Sequence, residues 1–376
     1  MRFKDIYLDN GATTQVDPKV IKLMLPFFDK YYGNASSQHS IGNKAKEALD
    51  KSRRIIASLI NAKPEEIIFT SGGTESDNLA LRAVAYLKGK GKHIITTKIE
   101  HPAVLNTCKE LEERGYQITY LNVDAEGFID LEQLKQSLTE NTILVSIIHA
   151  NNEIGTIQNL KEIGKICQEN NILFHTDAVQ SFTKTELDVQ KFNLDFVSLS
   201  GHKIHGPKGV GALYIRKGTE IKSLLTGGSQ EFSLRPGTEN IPGIVGLAAA
   251  AKLSSRSRHL KLITELNNKL INGIKEIENV KLNGPEENRL CNNVSVTFIG
   301  IDNQIMGDYL NQKMICASGG SACSSHSTKP SSVLKAIGLT DEDAKSTLRF
   351  TLSRFNTNEE IDYTIKTLKK LTNKLR

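Results

Sequence analysis

The sequence lacks the features that mark membrane, secreted and metal-binding proteins. No apolar stretch among its 376 residues is long enough to span a membrane, and the segment from Met1 to Asp5 lacks the apolar core of a signal peptide. The five cysteines form no close pair, and no CxxC or cysteine–histidine metal spacing occurs. We therefore expect a cytoplasmic protein with reduced thiols, no membrane contact and no metal bound by this chain alone.

Strong charge of one sign, internal repeats and low-complexity linkers are also missing. The net charge of +6 is scattered along the chain, so direct binding to nucleic acid is not expected, although a mildly basic protein suits a phosphorylated cofactor or acidic partners. With 39% hydrophobic residues, a chain of this length can bury a large core. We expect two domains, or one large and one small lobe.

Strand and helix patterns alternate through the first part of the chain. Several strand candidates are apolar on both faces, which predicts an α/β fold with a largely parallel sheet covered by helices. These candidates are Ile67–Thr70, His93–Ile99, Gln117–Val123, Thr142–His149, Ile172–Thr176, Phe196–Ser200 and Gly211–Ile215. After about Lys252, two long helical patterns bracket the shorter candidates Asn293–Phe298 and Thr347–Leu352, which predicts a smaller α+β domain. The last helix is expected to begin at the cap Asn358.

A Ser-Gly-His-Lys motif that ends at Lys203 says most about the chemistry. The motif begins at the end of the strand candidate Phe196–Ser200. The strand candidate Ile172–Thr176 leads to Asp177, and Gln180 follows three residues later. A lysine amine can form a Schiff base with the aldehyde of pyridoxal phosphate (PLP), and an aspartate can hold the ring nitrogen protonated so that the ring accepts electrons. Ser200 and His202 can donate hydrogen bonds to a phosphate. The motif therefore predicts a PLP site.

Three more polar turns follow strand candidates. Gly73 and Thr74 lie where a strand meets a helix, so that the first helical amides could bind a phosphate; the alternative is a tight turn capped by Thr74. His101 could stack on a flat ring, since strand ends face the ligand side of an open α/β sheet. Asn152 follows another strand candidate, and its alternative is an ordinary polar loop.

In the last third of the chain, one residue is a candidate nucleophile and another is a candidate substrate-binding residue. Cys323 lies among small and polar residues from Gly319 to Ser327, a poor setting for a structural cysteine and a good one for a reactive thiolate. The other four cysteines adjoin apolar residues and are expected to be structural. Arg349 is a charge inside an apolar strand pattern; it could face solvent, but we favour an inward guanidinium that binds a substrate carboxylate.

The order of these motifs resembles that of the cysteine desulfurases of the NifS/IscS type, in the PLP-dependent fold-type I (class V aminotransferase-like) group. Besides the motifs above, the resemblance includes Tyr7–Thr14, Tyr32–Asn34, Thr70–Asn78, Glu100–Val104, Asn151–Gly155, Gly227–Glu231 and Gly237–Asn240. It implies a large PLP-binding domain at residues 15–255 with a mostly parallel seven-stranded sheet. Residues 1–14 and 256–376 would form a small α+β domain that carries the catalytic cysteine loop at about 319–331.

The resemblance also implies roles for individual residues. Lys203 would bind the cofactor covalently and move protons, His101 would stack on the ring, and Cys323 would receive the sulfur. Asn152 and Arg349 would bind the substrate carboxylate. The implied cofactor-binding residues are Gly73, Thr74, His101, Asn152, Asp177, Gln180, Ser200, His202, Lys203 and Thr238. Of these, Thr238 matches a residue that family members lend to the phosphate of the partner subunit, which implies a homodimer.

The implied reaction removes sulfur from L-cysteine, releases L-alanine and leaves a persulfide on Cys323. The sulfur would pass to an acceptor protein, either an iron–sulfur scaffold or a tRNA-thiolating enzyme, and Cys323 could be a transient iron–sulfur ligand. The last helical pattern runs almost to the final residue given, so we expect no C-terminal extension of the kind with which some relatives dock a scaffold, and the acceptor stays open.

Other functions remain as alternatives. A PLP aminotransferase or β-lyase would not need Cys323, whereas a selenocysteine lyase would differ only in its substrate. A non-catalytic scaffold would need neither Cys323 nor Lys203. A P-loop enzyme is excluded because Gly206–Gly211 lacks the Gly-Lys-Ser/Thr ending.

Overall fold

The computed structural model of the protein describes residues 5–89, 91–319 and 330–375. The strands are β1 (Ile6–Tyr7), β2 (Ile67–Thr70), β3 (His93–Thr97), β4 (Gln117–Leu121), β5 (Thr142–Ser146), β6 (Leu173–Asp177), β7 (Phe196–Ser200), β8 (Gly211–Ile215), β9 (Val280–Leu282), β10 (Asn293–Phe298), β11 (Ile315–Cys316) and β12 (Thr347–Thr351). The helices are α1 (Pro18–Met24), α2 (Pro26–Asp29), α3 (Ser40–Leu59), α4 (Gly73–Lys88), α5 (Pro102–Glu113), α6 (Leu131–Ser137), α7 (Leu160–Glu169), α8 (Ile241–Ser254), α9 (Ser257–Lys275), α10 (Asn303–Gln312), α11 (Ser332–Ala336), α12 (Asp341–Lys345) and α13 (Asn358–Leu375).

A seven-stranded sheet in the order β2-β8-β7-β6-β5-β3-β4 forms the centre of the larger part of the fold. Strands β7, β6, β5, β3 and β4 run parallel, and β8 is antiparallel to both of its neighbours. Alternate residues of one strand join different apolar clusters: Ile68 packs in the cluster that contains α4 and α5 residues, and Phe69 in the one that contains α3 and α8 residues. Because both faces are covered, the strands are apolar throughout. The expected α/β class with a mostly parallel sheet is confirmed.

A separate apolar cluster, the C-terminal cluster, surrounds the antiparallel sheet β12-β10-β9. It combines Ile6 and Leu8 from the N-terminal segment with residues between Ile263 and Leu371. Strand β1 pairs in parallel with β11, so Ile6 and Tyr7 pack with the last third of the chain. The limits of the two expected domains, 15–255 and 1–14 with 256–376, stay a prediction, which this separate cluster supports. None of the helices in the described ranges is long and apolar enough to cross a membrane.

The last helix begins one residue earlier than expected. The hydroxyl of Thr357 accepts a hydrogen bond from the Glu360 amide, and the Glu360 carboxylate accepts one from the Thr357 amide. This reciprocal pair is a capping box, which needs the acid three residues after the cap. Asn358 is therefore the first helical residue, and its prediction as the cap was wrong because the spacing to Glu360 favours Thr357.

A buried ion pair holds an unusual turn at residues 231–233. Arg53 of α3 donates to both carboxylate oxygens of Glu231, at 2.6 and 2.8 Å, and the Phe69 amide donates to the same carboxylate at 2.8 Å. Residues 231, 232 and 233 have φ of 45°, 58° and 65°, a left-handed conformation that is costly for residues other than glycine. The ion pair therefore stabilises a strained segment that precedes Thr238.

We expect the substitution Glu231→Ala to lower the free energy of unfolding by about 3–5 kcal/mol, because it leaves the Arg53 charge buried and unpaired. The matched control is Glu47→Ala, which removes the exposed partner of Lys44. That change is expected to cost less than about 1 kcal/mol. Urea unfolding curves measure both. Equal losses in the two variants would contradict a stabilising role for the buried pair.

Candidate active site

One pocket collects most of the predicted site residues at the carboxyl ends of the central strands. Asp177 ends β6, Ser200 ends β7, and His101 and Asn152 lie in the connections that follow β3 and β5. Parallel strands end at a common edge, which is where open α/β sheets bind ligands. The predicted residues that line the pocket are Gly73, Thr74, His101, Asn152, Asp177, Gln180, Ser200, His202, Lys203 and Arg349.

The amine of Lys203 is held by the N-terminal segment. Its Nζ donates to the carbonyl oxygens of Gly11 at 2.6 Å and Ala12 at 2.9 Å. The Gln180 side chain donates to the same Gly11 carbonyl at 2.9 Å. These contacts join two parts of the chain that lie more than 160 residues apart, and they keep the lysine amine inside the pocket.

A buried carboxylate and an imidazole lie opposite this amine. Asp177 is 4% exposed and accepts a hydrogen bond from the Val179 amide at 2.9 Å. Burial raises the pKa of Asp177, while the His101 and Lys203 charges act to lower it. His101 caps α5 by accepting at Nδ1 from the Ala103 amide, and burial, the main cause, lowers its pKa. The pocket thus offers a carboxylate for a cation and a neutral imidazole ring.

The N-terminus of α4 forms an anion cradle at another side of the pocket. Its cap residue, Gly72, supplies no side-chain hydrogen bond, so helical amides at this end are available to a ligand. A Cβ on Gly73 would lie 2.6 Å from Val179 Cγ2, so glycine is needed for the helix to start this close to β6. Burial, with the Lys203 charge as a lesser cause, lowers the pKa of His202 to about 4. A neutral His202 can donate a hydrogen bond to a phosphate.

Arg349 supplies a buried guanidinium on β12. Only 2% of this residue is exposed, so the alternative that it faces solvent is wrong. Nη1 donates to the Asn152 carbonyl at 3.0 Å, and Nη2 pairs with Asp9 at 3.0 Å. The Nε atom is buried and has no acceptor within the described part of the chain. A planar guanidinium with an unused donor suits a ligand carboxylate.

The cysteines that the structure describes do not suit nucleophilic chemistry. Cys108 and Cys167 are buried on α5 and α7, and Cys291 and Cys316 are partly buried. Burial is the main cause that raises the pKa of all four thiols, that of Cys167 to about 12. A thiol that stays protonated is a poor nucleophile. None of the four lines the pocket.

Cys323 lies outside the described residues, but both described flanks of its segment are anchored beside the pocket. On one side, Ser318 exchanges backbone hydrogen bonds with Arg349, at 2.7 and 3.2 Å. On the other side, the Ser331 hydroxyl donates to the carboxylate of Glu153 at 2.5 Å. Glu153 directly follows the pocket residue Asn152. Ser318 and Ser331, on the two described sides of Cys323, are therefore both held near the candidate substrate-binding residues.

Thr238 does not line the pocket of its own chain. It is exposed, and its segment is tied to α4 by an ion pair between Arg235 and Glu75 at 2.8 Å. An exposed Thr238 is consistent with a contact to the phosphate bound by a second subunit, and this role stays a prediction.

Five residues that line the pocket were not among the predicted site residues: Gly11, Ala12, Asp77, Ile148 and Val179. Asp77 is 1% exposed, and single side-chain atoms of Asp77, His101 and Asp177 lie within 4.8 Å of one another. The spacing from Thr74 to Asp77 is one helical turn, which was a signal that both face the same side of α4. Two carboxylates and an imidazole are also metal-ligand types. The expected absence of a metal stays a prediction.

The donors and acceptors of the pocket fit PLP. The amine of Lys203 suits the aldehyde, the carboxylate of Asp177 suits a protonated ring nitrogen, and the amide of Gln180 suits a ring hydroxyl. The close approach of the α4 N-terminus, which the glycine at 73 permits, suits a phosphate. A metal ion alone would use neither the Lys203 amine nor the amides at the N-terminus of α4.

Comparisons with known proteins identify the family. The aminotransferase class-V family model matches residues 6–364. Cysteine desulfurase IscS of Clostridium botulinum is 48% identical over 379 residues, which cover 99% of this chain and 96% of that protein. A solved NifS-like protein has a TM-score of 0.91 at 38% identity and covers 98% of this chain and 99% of its own. The solved structure of SspA in complex with cysteine has a TM-score of 0.84 at 39% identity, with coverage of 94% and 100%.

Similarity of this extent includes both the central sheet and the C-terminal cluster, so it concerns the whole site and not one motif. It confirms the family that the sequence motifs predicted. The chain belongs to the aminotransferase class-V family and, within it, to the cysteine desulfurases of the NifS/IscS type.

Proposed function

We propose that the protein binds PLP and transfers the sulfur of L-cysteine to Cys323, with L-alanine as the second product. The observation that carries this proposal is the meeting of Lys203, Asp177 and Arg349 in one pocket. Its full-length relatives are cysteine desulfurases, and the similar SspA has been solved with cysteine. This reading is favoured over an aminotransferase or β-lyase for that reason.

The cofactor would be held at five points, four on the ring and its aldehyde and one at the phosphate. Lys203 would bond to the aldehyde, Asp177 would pair with the ring nitrogen, Gln180 would contact the ring hydroxyl, and His101 would stack on the ring. The phosphate would take the amides of Gly73 and Thr74 and the side chains of Thr74, Ser200 and His202. When bound, PLP would supply a ring that accepts electrons from the substrate.

The substrate would be oriented by its carboxylate. Arg349 has a buried Nε without an acceptor in the described ranges, and Asn152 lies next to it. A carboxylate held there would bring the substrate Cα toward the Lys203 amine. A lysine amine that has left the aldehyde can take a proton from Cα and return it later, as a general base and acid.

Sulfur transfer would use the thiolate of Cys323. It would attack the sulfur of the substrate, so that an S–S bond forms on Cys323 while the substrate carbon–sulfur bond breaks, and the remaining carbon skeleton leaves as alanine. The high pKa of the other four thiols supports this assignment. An acceptor protein, either an iron–sulfur scaffold or a tRNA-thiolating enzyme, would then take the sulfur. The four free thiols suit a reducing, cytoplasmic setting.

A homodimer would complete each site. Thr238 is exposed on its own chain, and the strained turn that precedes it is fixed by the Arg53–Glu231 pair. The Thr238 hydroxyl would therefore reach the phosphate bound by the other subunit.

The variant Lys203→Ala is expected to lose covalent PLP and turnover together, because only an amine can bond to the aldehyde. The measurement is mass spectrometry after borohydride reduction, with visible absorbance as a check. Lys208→Ala is the matched control, since Lys208 is exposed five residues further on. A wild-type protein that stays colourless after reconstitution with PLP would refute the cofactor.

The variant Cys323→Ser is expected to stop sulfide production while PLP and cysteine still bind, because a serine hydroxyl is not ionised near neutral pH. Mass spectrometry of the peptide that contains Cys323 should show one added sulfur atom in the wild type after cysteine treatment. Cys316→Ser is the control and should keep activity. Full alanine and sulfide release by Cys323→Ser, with no sulfur added to the wild-type peptide, is the result that would sink the assignment.

The variant Thr238→Ala is expected to weaken PLP retention by about 1.5–3 kcal/mol, the value of one hydrogen bond to a charged group. Equilibrium dialysis of PLP from the variant and the wild type measures this loss. Light scattering at the same protein concentration should give a dimer. A fully active monomer would count against the shared site.

A further inference from the structure

The carboxylate of Asp77 lies in the pocket wall and has no task in the reaction proposed above. It extends from α4, is 1% exposed, and has one atom within 4.8 Å of atoms of His101 and Asp177. Its Oδ1 has no hydrogen-bond partner within the described part of the chain. A buried ionised carboxylate normally has a cation or several donors as partners. The buried Asp77 carboxyl group therefore raises the question of whether it is ionised or protonated.

A row of buried, neutral side chains extends from Ser146 through His175 and Ser198 to Asp77. The hydroxyl of Ser198 on β7 faces the Asp77 carboxyl group and acts to lower its pKa, against the larger effect of burial. His175 of β6 lies between two hydroxyls, with Nε2 3.0 Å from Ser198 and Nδ1 2.8 Å from Ser146. Burial lowers the pKa of His175 to about 3, so its ring is neutral and is no counter-ion, although Nε2 lies 3.6 Å from Asp77. Asp77 thus faces a hydroxyl and receives no positive charge from these neighbours.

The other ionisable groups that face Asp77 do not compensate a negative charge either. Burial is the main cause that raises the pKa of Asp77, and the charges of Asp177 and Glu100 raise it further. Burial also raises the pKa of Glu100 to about 8, and it lowers that of His101. Two carboxylates this close in a buried site do not both ionise. Asp177 holds the charge more readily, because the Val179 amide and the Lys203 amine favour its ionised form.

We propose that Asp77 is a positioning residue that keeps its proton, so that the pair Asp77 and Asp177 carries one negative charge and carries it on Asp177. This inference rests on the proposed function, because the charge matters when Asp177 faces the ring nitrogen of PLP. A protonated Asp77 leaves the charge on Asp177, and it avoids a second negative charge in the wall of the pocket.

Infrared difference spectroscopy of the holoenzyme near neutral pH tests the protonation state directly. A protonated carboxylic acid has a C=O stretch that an ionised carboxylate lacks. The spectrum of the wild type minus that of Asp77→Asn is expected to contain this acid band. The matched control is Glu75→Gln on the same helix. Although burial opposes it, hydrogen bonds from Arg235 and Ser71 lower the pKa of Glu75, so this control is expected to remove no acid band.

A second readout separates this role from a merely structural one. Asp77→Asn imitates the protonated acid, so the pH midpoint of the visible absorbance of bound PLP is expected to equal that of the wild type. Loss of an ionised group would displace that midpoint. A displaced midpoint in Asp77→Asn, or a difference spectrum with carboxylate bands alone, overturns the proposal.

Two further measurements keep the test decisive. If Asp77→Asn does not fold, Ser198→Ala replaces it: the acid band is expected to persist to higher pH than in the wild type, because the lost hydroxyl favoured the ionised form. An acid band that disappears at the wild-type pH or below it would contradict the proposal. If the wild type retains no PLP, the proposed cofactor fails, and the infrared difference of the apoprotein still reports on Asp77. The two failures are therefore distinguishable.

Discussion

The burial of the Asp177 carboxylate is the constraint on which the rest of the site depends. The side chain ends a central strand and is almost fully buried, and no arginine pairs with it among the described residues. Its stabilising contacts are the Val179 amide and the charge of the Lys203 amine. A buried charge is costly unless a partner compensates it. A cationic ring nitrogen would be such a partner, and this need explains why an amine, an imidazole and an anion cradle surround the same carboxylate.

The fold meets this constraint by bringing distant segments to one sheet edge. The central strands deliver Asp177 and Ser200, and the C-terminal cluster delivers Arg349 on β12. The N-terminal segment joins the two, because Gly11 accepts a hydrogen bond from Lys203 at its carbonyl and donates one to Thr351 beside Arg349. The same segment pairs with β11 and so belongs to the C-terminal cluster. The pocket is therefore lined by residues of the central sheet and by Arg349 from the C-terminal sheet, and under the proposed function the first would hold the cofactor and the second the substrate carboxylate.

Much of this arrangement could be predicted from the sequence, for reasons that are local. Apolar runs followed by small and polar residues show where strands end, which located Asp177, Ser200 and His101 correctly. The strand β5 was predicted to extend to His149 but ends at Ser146; the prediction ran too far because the buried Ile147 and Ile148 continue the apolar pattern of the strand. Gly11 and Asp77 were missed for a different reason. Their importance comes from contacts across the fold, and neither a glycine near the N-terminus nor an acid on a helix reveals its distant neighbours.

A crystal structure of the protein grown with PLP, without substrate, tests the central claim most directly. We expect electron density that is continuous with Lys203 Nζ. The ring should stack on His101, and its nitrogen should face the Asp177 carboxylate. The phosphate should lie at the start of α4, near Ser200 and His202, with Thr238 of a second chain against it. A phosphate bound elsewhere, or a ring nitrogen that faces a group other than Asp177, would contradict the account.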